Sequence, residues 1–402
     1  MKPLNYIDIF AGCGGLSLGL CNSGFRGIFA IEKNHDAFST FKDNLITDKS
    51  FFDWPQWLPV SEHDINELIE TYDQQLKELA GKITLVAGGP PCQGFSMAGK
   101  RNVNDQRNKL VKSYIRFIKI IQPEAIVFEN VHGFTVDFQK KNGKNKKYSD
   151  YVINALRREG YQTAYRIINM NDFGVPQSRK RFILVAMKNH DPQKVFQKLD
   201  VNKNTFLTQK EIPKSPTVKD AIDDLRMKFG AVDSPDSKNF KAGKYGKVSS
   251  PYQSFLREGT ETCNDNTADS HRFVNHSVRV IKLHQDLQEK AARGKRITPA
   301  DEIVDGLKRR GVTVLDENKP APTITSIPDE LVHYCEPRIL TVREHARIQS
   351  FPDWFQFKGK YTSGGKRRKL EVPRYTQVGN AVPPLFAEQI GLAIKEVIND
   401  DR

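Results

Sequence analysis

Tyr6-Ile7-Asp8-Ile9-Phe10-Ala11-Gly12-Cys13-Gly14-Gly15 is a short β-type run that breaks abruptly into a glycine turn. Leu16 to Asn22 then reads as a helix that Gly24 ends, and a second strand, Gly27 to Ile31, stops at Glu32. Strand, glycine turn, helix and strand form the opening of a βαβ unit, in which glycines let a ligand lie against the backbone. The turn does not match G-x-G-x-x-G, so by itself it also reads as an ordinary tight turn. Glu32 stands where an acidic residue would accept hydrogen bonds from ribose hydroxyls. Asp64-Ile65 falls at a plausible third strand end, where a carboxylate could receive an adenine amino group. Together they suggest an adenosine-containing cofactor, against the alternative of two surface acids.

Outward from this unit the alternation continues. Strand Ile83–Ala87 is followed by helix Leu110–Ile121, strand Ala125–Phe128, helix Ser149–Glu159 and strands Gln162–Asn169 and Phe182–Met187. Such alternation predicts a doubly wound α/β domain with a mostly parallel sheet. After about residue 190 the pattern dissolves into Lys-, Asp-, Asn- and Ser-rich sequence that reads as a second, irregular domain. Residues 1–190, completed by 374–402, are expected to form one domain and 191–373 the other.

Lys+Arg 62 against Asp+Glu 48 leaves a formal charge of +14, which favours an anionic partner, nucleic acid first. Two basic runs, Lys140 to Lys147 and Lys366 to Lys369, read as solvated loops or as phosphate contacts. Cys13, Cys21, Cys92, Cys263 and Cys335 are odd in number and include no C-x-x-C pair, against a disulfide framework and a structural zinc site. No metal is expected. The amino terminus lacks signal-peptide form and no apolar run nears the roughly 18 residues of a membrane span, so a cytoplasmic protein is expected.

Gly88-Gly89-Pro90-Pro91-Cys92-Gln93-Gly94 follows the Ile83–Ala87 strand. A thiol held there between a proline pair and a glycine is a candidate nucleophile, although a lone cysteine is more often buried and inert. Glu129 ends the next strand and should emerge on the same sheet edge. Arg179 and Arg181, in Gln177-Ser178-Arg179-Lys180-Arg181, could pair with carboxylates or contact a substrate carbonyl and phosphate.

These segments stand in one order with Arg343-Glu344-His345-Ala346-Arg347-Ile348-Gln349-Ser350-Phe351-Pro352 and Gln377-Val378-Gly379-Asn380-Ala381-Val382-Pro383. In that order the chain resembles the cytosine-C5 DNA methyltransferases of bacterial restriction–modification systems, over residues 6 to about 190 and about 320 to 395. One departure is His63 before Asp64-Ile65, where the family commonly has glycine.

The resemblance implies the S-adenosylmethionine-dependent methyltransferase fold with a target-recognition domain. It implies that Phe10, Ala11, Gly12, Gly14, Gly15 and Leu16 receive S-adenosylmethionine, with Glu32 on the ribose, Asp64 and Ile65 around the adenine, and Pro90, Asn380 and Ala381 completing the pocket. Cys92 would add to C6 of cytosine, Glu129 would bond N3 and the exocyclic amine, and Arg181 would contact O2, with Arg179 beside it. Asn130 would brace the Cys92 loop, and Arg343 and Glu344 would be structural. The cytosine would be flipped out of duplex DNA, with Met97 to Arg107 closing over it. The products would be 5-methylcytosine and S-adenosylhomocysteine. A cognate restriction endonuclease acting on the same site and a monomeric state are implied as well.

Two other readings are tRNA cytosine methylation and a non-catalytic DNA-binding regulator. The chain lacks the Cys-Phe-Thr signature of the tRNA branch and has a long variable region. Against the regulator stand Cys92, Glu129 and Arg181, together with a sheet that begins at Tyr6 and leaves no room for an amino-terminal helix-turn-helix.

Overall fold

The computed structural model describes residues 4–91, 108–136, 138–139, 145–260, 266–307, 311–363 and 371–400. The chain divides into two compact units, Met1–Asn169 with Lys180–Lys203 and Phe386–Arg402, and Met170–Arg179 with Asn204–Leu385.

In chain order the elements of the first part are β1 (Asn5–Ile9), α1 (Gly15–Asn22), β2 (Arg26–Ile31), α2 (His35–Phe41), α3 (Ile65–Thr71) and α4 (Asp73–Glu78). There follow β3 (Leu85–Gly88), α5 (Asn108–Ile121), β4 (Ala125–Val131), the short β5 (Phe138–Gln139) and β6 (Asn145–Lys146), and α6 (Tyr148–Arg158). Then come β7 (Gln162–Asn169), β8 (Gln177–Ser178), β9 (Lys180–Met187) and α7 (Pro192–Gln209). The six-stranded sheet of the first unit has the order β2-β1-β3-β4-β9-β7. β2, β1, β3 and β4 pair in parallel, and β9 runs antiparallel to both β4 and β7. The sheet is thus mostly parallel with one reversed strand.

Alternation along the strands sorts the two faces. Ile7, Ile9, Val86, Ile126, Phe128, Phe182 and Leu184 are buried with Ile65, Leu68, Tyr114, Phe117, Ile118, Val152 and Leu156 from α3, α5 and α6. On α5, Val111, Tyr114, Ile115 and Ile118 recur at helical spacing, which turns one side of that helix into the core. The other sheet face carries Tyr6 and Asp8, and Tyr6 donates its hydroxyl to the Ser17 carbonyl of α1.

The third strand expected before Asp64 is not formed. Only an isolated bridge, Gly27 with Phe52, marks that place. Pro55 and Pro59 remove two backbone donors from this stretch, which suits a loop better than a ladder. Asp64 instead caps α3, its side chain accepting from the Asn66 amide. In the stretch that read as irregular, α7 is an 18-residue helix. Its buried Val195, Phe196, Leu199, Phe206 and Leu207 are diluted by lysine, glutamine and asparagine, which hides the period.

The second unit holds α8 (Val218–Ile222), β10 (Ala231–Asp233), β11 (Lys241–Lys244), α9 (Pro251–Arg257), β12 (Thr267–Arg272) and α10 (Val278–Lys290). It continues with β13 (Arg296–Ile297), β14 (Val312–Val314), β15 (Ala321–Pro322), β16 (Leu331–Val332), α11 (Val342–Ile348) and α12 (Arg374–Asn380). Its sheets are small: β10-β11-β12, β13-β14-β16, and β15 paired with β8. Buried charge does much of the fastening. Arg347, fully buried, bonds Asp224 at 2.5 Å and Asp353 at 2.6 Å. Arg343, also fully buried, donates to the carbonyls of Asp269, Pro352 and Phe355. Glu344 closes a capping box with Thr341 and pairs with Arg338, which, against the opposing effect of burial, holds its carboxyl far below the usual range. The last helix, α13 (Pro384–Asp400), runs from Phe386 onward in the first unit, where Lys395 reaches the Ser23 carbonyl.

Among the described residues no helix is long and apolar enough to cross a membrane.

Candidate functional site

The carboxyl edge of the first unit's sheet gathers the turn after β1, the ends of β2 and β3, and the outer ends of β4 and β9. Phe10 leaves β1 with φ of 64°, a left-handed conformation that costs a non-glycine residue energy and that clusters at functional turns. Gly12 follows at φ 57°, and a Cβ built on it would meet nothing within 4 Å. That side of the turn is open to a ligand. The Gly12 amide donates to Glu32 Oε2 at 3.0 Å, and the Asn34 amide donates to Glu32 Oε1 at 2.8 Å. Burial nevertheless raises the Glu32 carboxyl above its ordinary range. Cys13, in the same turn, is buried and its thiol is pushed up to about 12, so it is an inert packing group here.

Asp64 lies across from Glu32, joined through the loop by the bond from the His63 amide to the Glu32 carbonyl. Its Oδ1 accepts from the Asn66 amide at 2.8 Å, and its Oδ2 accepts from Lys33 Nζ at the same distance. Burial works against the charge, but Lys33 and Asn66 hold the carboxyl below the usual range. Ile65 beside it is buried. A ribose diol needs an acceptor such as Glu32, an adenine amino group needs one such as Asp64, and the flat base needs apolar neighbours such as Phe10 and Ile65. The residue set therefore fits an adenosine-bearing donor, with room at Gly12 for its chain.

β3 ends where two glycines are forced by close approach. A Cβ on Gly88 would lie 1.9 Å from the Ile9 carbonyl oxygen, and one on Gly89 would lie 1.9 Å from that of Glu129. The backbone thus passes directly against β1 and β4 before reaching Pro90. Asn130 is buried and donates through Nδ2 to the Pro90 carbonyl at 3.1 Å, while its own Oδ1 accepts from the Val131 amide. Asn130 therefore braces the segment that leads to Cys92. Cys92 itself lies outside the described residues, as do Met97 to Arg107, Lys140 to Lys144, Cys263 and Lys366 to Lys369.

Glu129 and Arg181 come together. In the β4–β9 ladder Glu129 faces Ile183 and Val131 faces Arg181, so the two charged residues are diagonal neighbours on one sheet face. Arg181 Nε lies 2.9 Å from Glu129 Oε1, with the side chains 11% and 18% exposed. The pair is shielded from water yet reachable, a geometry that presents one carboxylate and one guanidinium to a single polar ring.

Arg179 has a different position. It is buried in the second unit, donating to the carbonyls of Ile324 and Gly379 at 2.9 Å and of Ala381 at 3.2 Å. Gln177 accepts the Ile324 amide and bonds Gln349, which in turn donates to the Val378 carbonyl. Arg179 is thus a brace within that unit, its two terminal guanidinium nitrogens donating to backbone carbonyls. Asn380 is exposed at the end of α12, and Ala381 follows it in the same unit. Sequence reasoning missed three contributors: Ser17, which bonds Asp8; Lys33, which holds Asp64; and Asn34, whose amide orients Glu32. The fingerprint for Asn34 was present, since an Asn before a helical run is a strong N-cap. Among the described residues no cluster of His, Cys, Asp or Glu could hold a metal ion.

Comparison with known proteins agrees in order and extent. The family described as C-5 cytosine-specific DNA methylase matches residues 4–396. The Type II methyltransferase M.XorII of Xanthomonas oryzae pv. oryzae is 31% identical over 99% of this chain and 85% of its own length. M.DdeI of Desulfomicrobium norvegicum, also a Type II methyltransferase, is 31% identical over 96% and 87%. The crystal structure of an E. coli protein assigned as a prophage-encoded DNA modification methyltransferase superposes with a TM-score of 0.64 at 25% identity, covering 98% of this chain and 99% of that one. The S. pombe Dnmt2 methyltransferase shares the fold, with a TM-score of 0.54 at 15% identity over 99% of each chain. With the glycine turn, the braced Pro90 segment and the Glu129–Arg181 pair in place along nearly its whole length, the chain belongs to the C-5 cytosine-specific DNA methylase family.

Proposed function

We propose a division of labour among this chain's residues for sequence-specific methylation of cytosine C5 in DNA, the S-adenosylmethionine-dependent reaction of its family. The turn Phe10 to Leu16 holds the donor, Glu32 takes the ribose, Asp64 and Ile65 take the adenine, and Pro90 completes the first unit's part of the site. S-adenosylmethionine supplies an electrophilic sulfonium methyl.

Cys92 attacks C6 of a cytosine turned out of the duplex, at an unstacking cost of about a few kcal/mol. The thiolate's electron pair forms the S–C6 bond, and the ring becomes an enamine whose C5 is nucleophilic towards the methyl. Glu129 in its protonated form donates that proton to N3 as the S–C6 bond forms and accepts from the exocyclic amine, and Arg181 donates to O2. Arg181 also fixes the Glu129 carboxyl group by the 2.9 Å contact, the observation that carries the reading. C5 takes the methyl, leaving S-adenosylhomocysteine; the C5 proton then passes to water, N3 returns its proton to Glu129, and the Cys92 thiolate departs, which leaves 5-methylcytosine. Arg179 holds the backbone of 379–381 in shape.

The protein acts as a monomer in the bacterial cytoplasm, because flipping one base needs one active site, and it guards host DNA against a restriction endonuclease that cuts the same sequence. Residues 191–373 read that sequence through base edges in the major groove. Methyl transfer to duplex DNA and to tRNA, with wild-type protein and Cys92→Ala, tests the assignment. Transfer to C5 in DNA that vanishes with Cys92→Ala supports it. Transfer to tRNA alone, or methylation surviving the substitution, overturns it. Bisulfite sequencing of a plasmid from expressing cells identifies the site, and a cell extract that cuts only the unmethylated plasmid there reveals the endonuclease.

A further inference from the structure

Asp8 is fully buried on β1, on the sheet face away from Ile7 and Ile9. Its in-register neighbours are Ala30 on β2 and Ala87 on β3, so no polar side chain flanks it within the sheet. Oδ2 accepts from Ser17 Oγ on α1 at 2.6 Å. Oδ1 has no hydrogen-bond partner among the described residues. A buried, half-satisfied carboxyl is costly unless another interaction offsets it. Asp8 precedes the Phe10–Gly15 turn and Ser17 follows it, so their bond ties the two ends of that turn together.

We propose that Asp8 is a positioning residue of the methyl-donor turn, and that its buried negative charge favours a cationic donor over the uncharged product. The proposal rests on the reading of this turn as the S-adenosylmethionine site. A sulfonium sulfur accepts no hydrogen bond, so besides the methyl itself it is the local field that distinguishes S-adenosylmethionine from S-adenosylhomocysteine at the reacting sulfur. A carboxylate in a poorly solvated site supplies such a field with little screening. Glu32 is the other acid nearby, but its two oxygens already accept the Gly12 and Asn34 amides.

Calorimetric titration of each ligand into wild-type protein, Asp8→Asn and Ser17→Ala at about pH 8 tests this. Burial pushes the Asp8 carboxyl up to about 7, so it is mostly ionised there. Tyr6, Cys21 and Tyr114, which feel the same charge, are raised and stay neutral, and Glu32 is common to all three proteins. Asp8→Asn is expected to lower the preference for S-adenosylmethionine over S-adenosylhomocysteine by roughly fivefold or more. Ser17→Ala, which removes the bond opposing the rise of the Asp8 carboxyl, is expected to weaken both ligands and to shift the onset of the preference to higher pH. In the wild type the preference should rise between about pH 6 and pH 8, a readout that needs no variant to fold. Equal effects of Asp8→Asn on both ligands, or a wild-type ratio flat with pH, would overturn the proposal. Glu32→Ala separates the two readings: if it binds both ligands like the wild type, the assignment of the turn itself fails.

Discussion

Arg181 Nε lies 2.9 Å from Glu129 Oε1, across a diagonal of the antiparallel β4–β9 ladder. Both residues lie within two positions of a strand end, near where the sheet stops and a substrate can begin. The pair makes each residue's chemistry depend on the other. Glu129→Gln keeps the shape and removes the charge, and it is expected to lower kcat by roughly 10²–10³ with little change in DNA affinity. Arg181→Ala should lower kcat as well, and the double variant should cost less than the two combined, by roughly 0.5–3 kcal/mol of coupling. Single-turnover rates on an oligonucleotide duplex check this, and strict additivity would show that the ion pair is incidental.

Asn130 offers a cleaner separation of bracing from chemistry. Asn130→Ala leaves the buried Pro90 carbonyl without its 3.1 Å partner, at a cost of about 1–3 kcal/mol. The Cys92 segment is then held less firmly, so kcat should fall about tenfold or more while affinity for S-adenosylhomocysteine stays within about twofold. A rate unchanged from wild type would remove Asn130 from the catalytic support.

Asp8 makes stability depend on pH in a defined direction. Its carboxyl is raised by burial from 3.8 to about 7, with Ser17 opposing and Glu32 reinforcing the rise. The folded chain therefore keeps a proton that the unfolded chain loses, and stability falls as pH climbs from about 4 through 7. The full effect, present above that window, is of order 4 kcal/mol. Asp8→Asn should flatten this part of the profile and be more stable than wild type at about pH 8. Urea midpoints of both proteins at about pH 5 and pH 8 measure it, and identical pH profiles would contradict it.

Arg347 should behave in the opposite manner to a surface cation. Replacing it with methionine leaves Asp224 and Asp353 as buried carboxylates that have lost a partner, at about 3–5 kcal/mol. Arg26→Met, which breaks an exposed pair with Asp53, should cost less than about 1 kcal/mol. Denaturation of the two variants side by side gives the comparison, and equal costs would mean that the buried network is not what holds α11.

The sequence by itself determined most of the strands and helices of the sheet domain up to Met187, because strand runs of period two and helices of period 3.6 sort core from surface without any knowledge of neighbours. Tyr6 to Phe10, Ile83 to Ala87, Leu110 to Ile121 and Phe182 to Met187 were legible in this way. Chemistry-bearing residues at strand exits were legible too, since glycines, prolines and lone carboxylates punctuate apolar runs. Tertiary structure alone decided which of them meet. Glu129 and Arg181 are 52 positions apart in the chain and touch only because β9 runs back along β4. Arg179 and Arg181 are near neighbours in sequence, yet one is spent on buried carbonyls and the other pairs with Glu129. The strand expected before Asp64 gave way to a proline-bearing loop and a helix cap. Asp8, an unremarked letter in the glycine motif, acquired its properties from Ala30, Ala87 and Ser17. Local sequence fixes periodicity and turn chemistry, whereas ion pairing, burial and titration depend on which strands lie side by side.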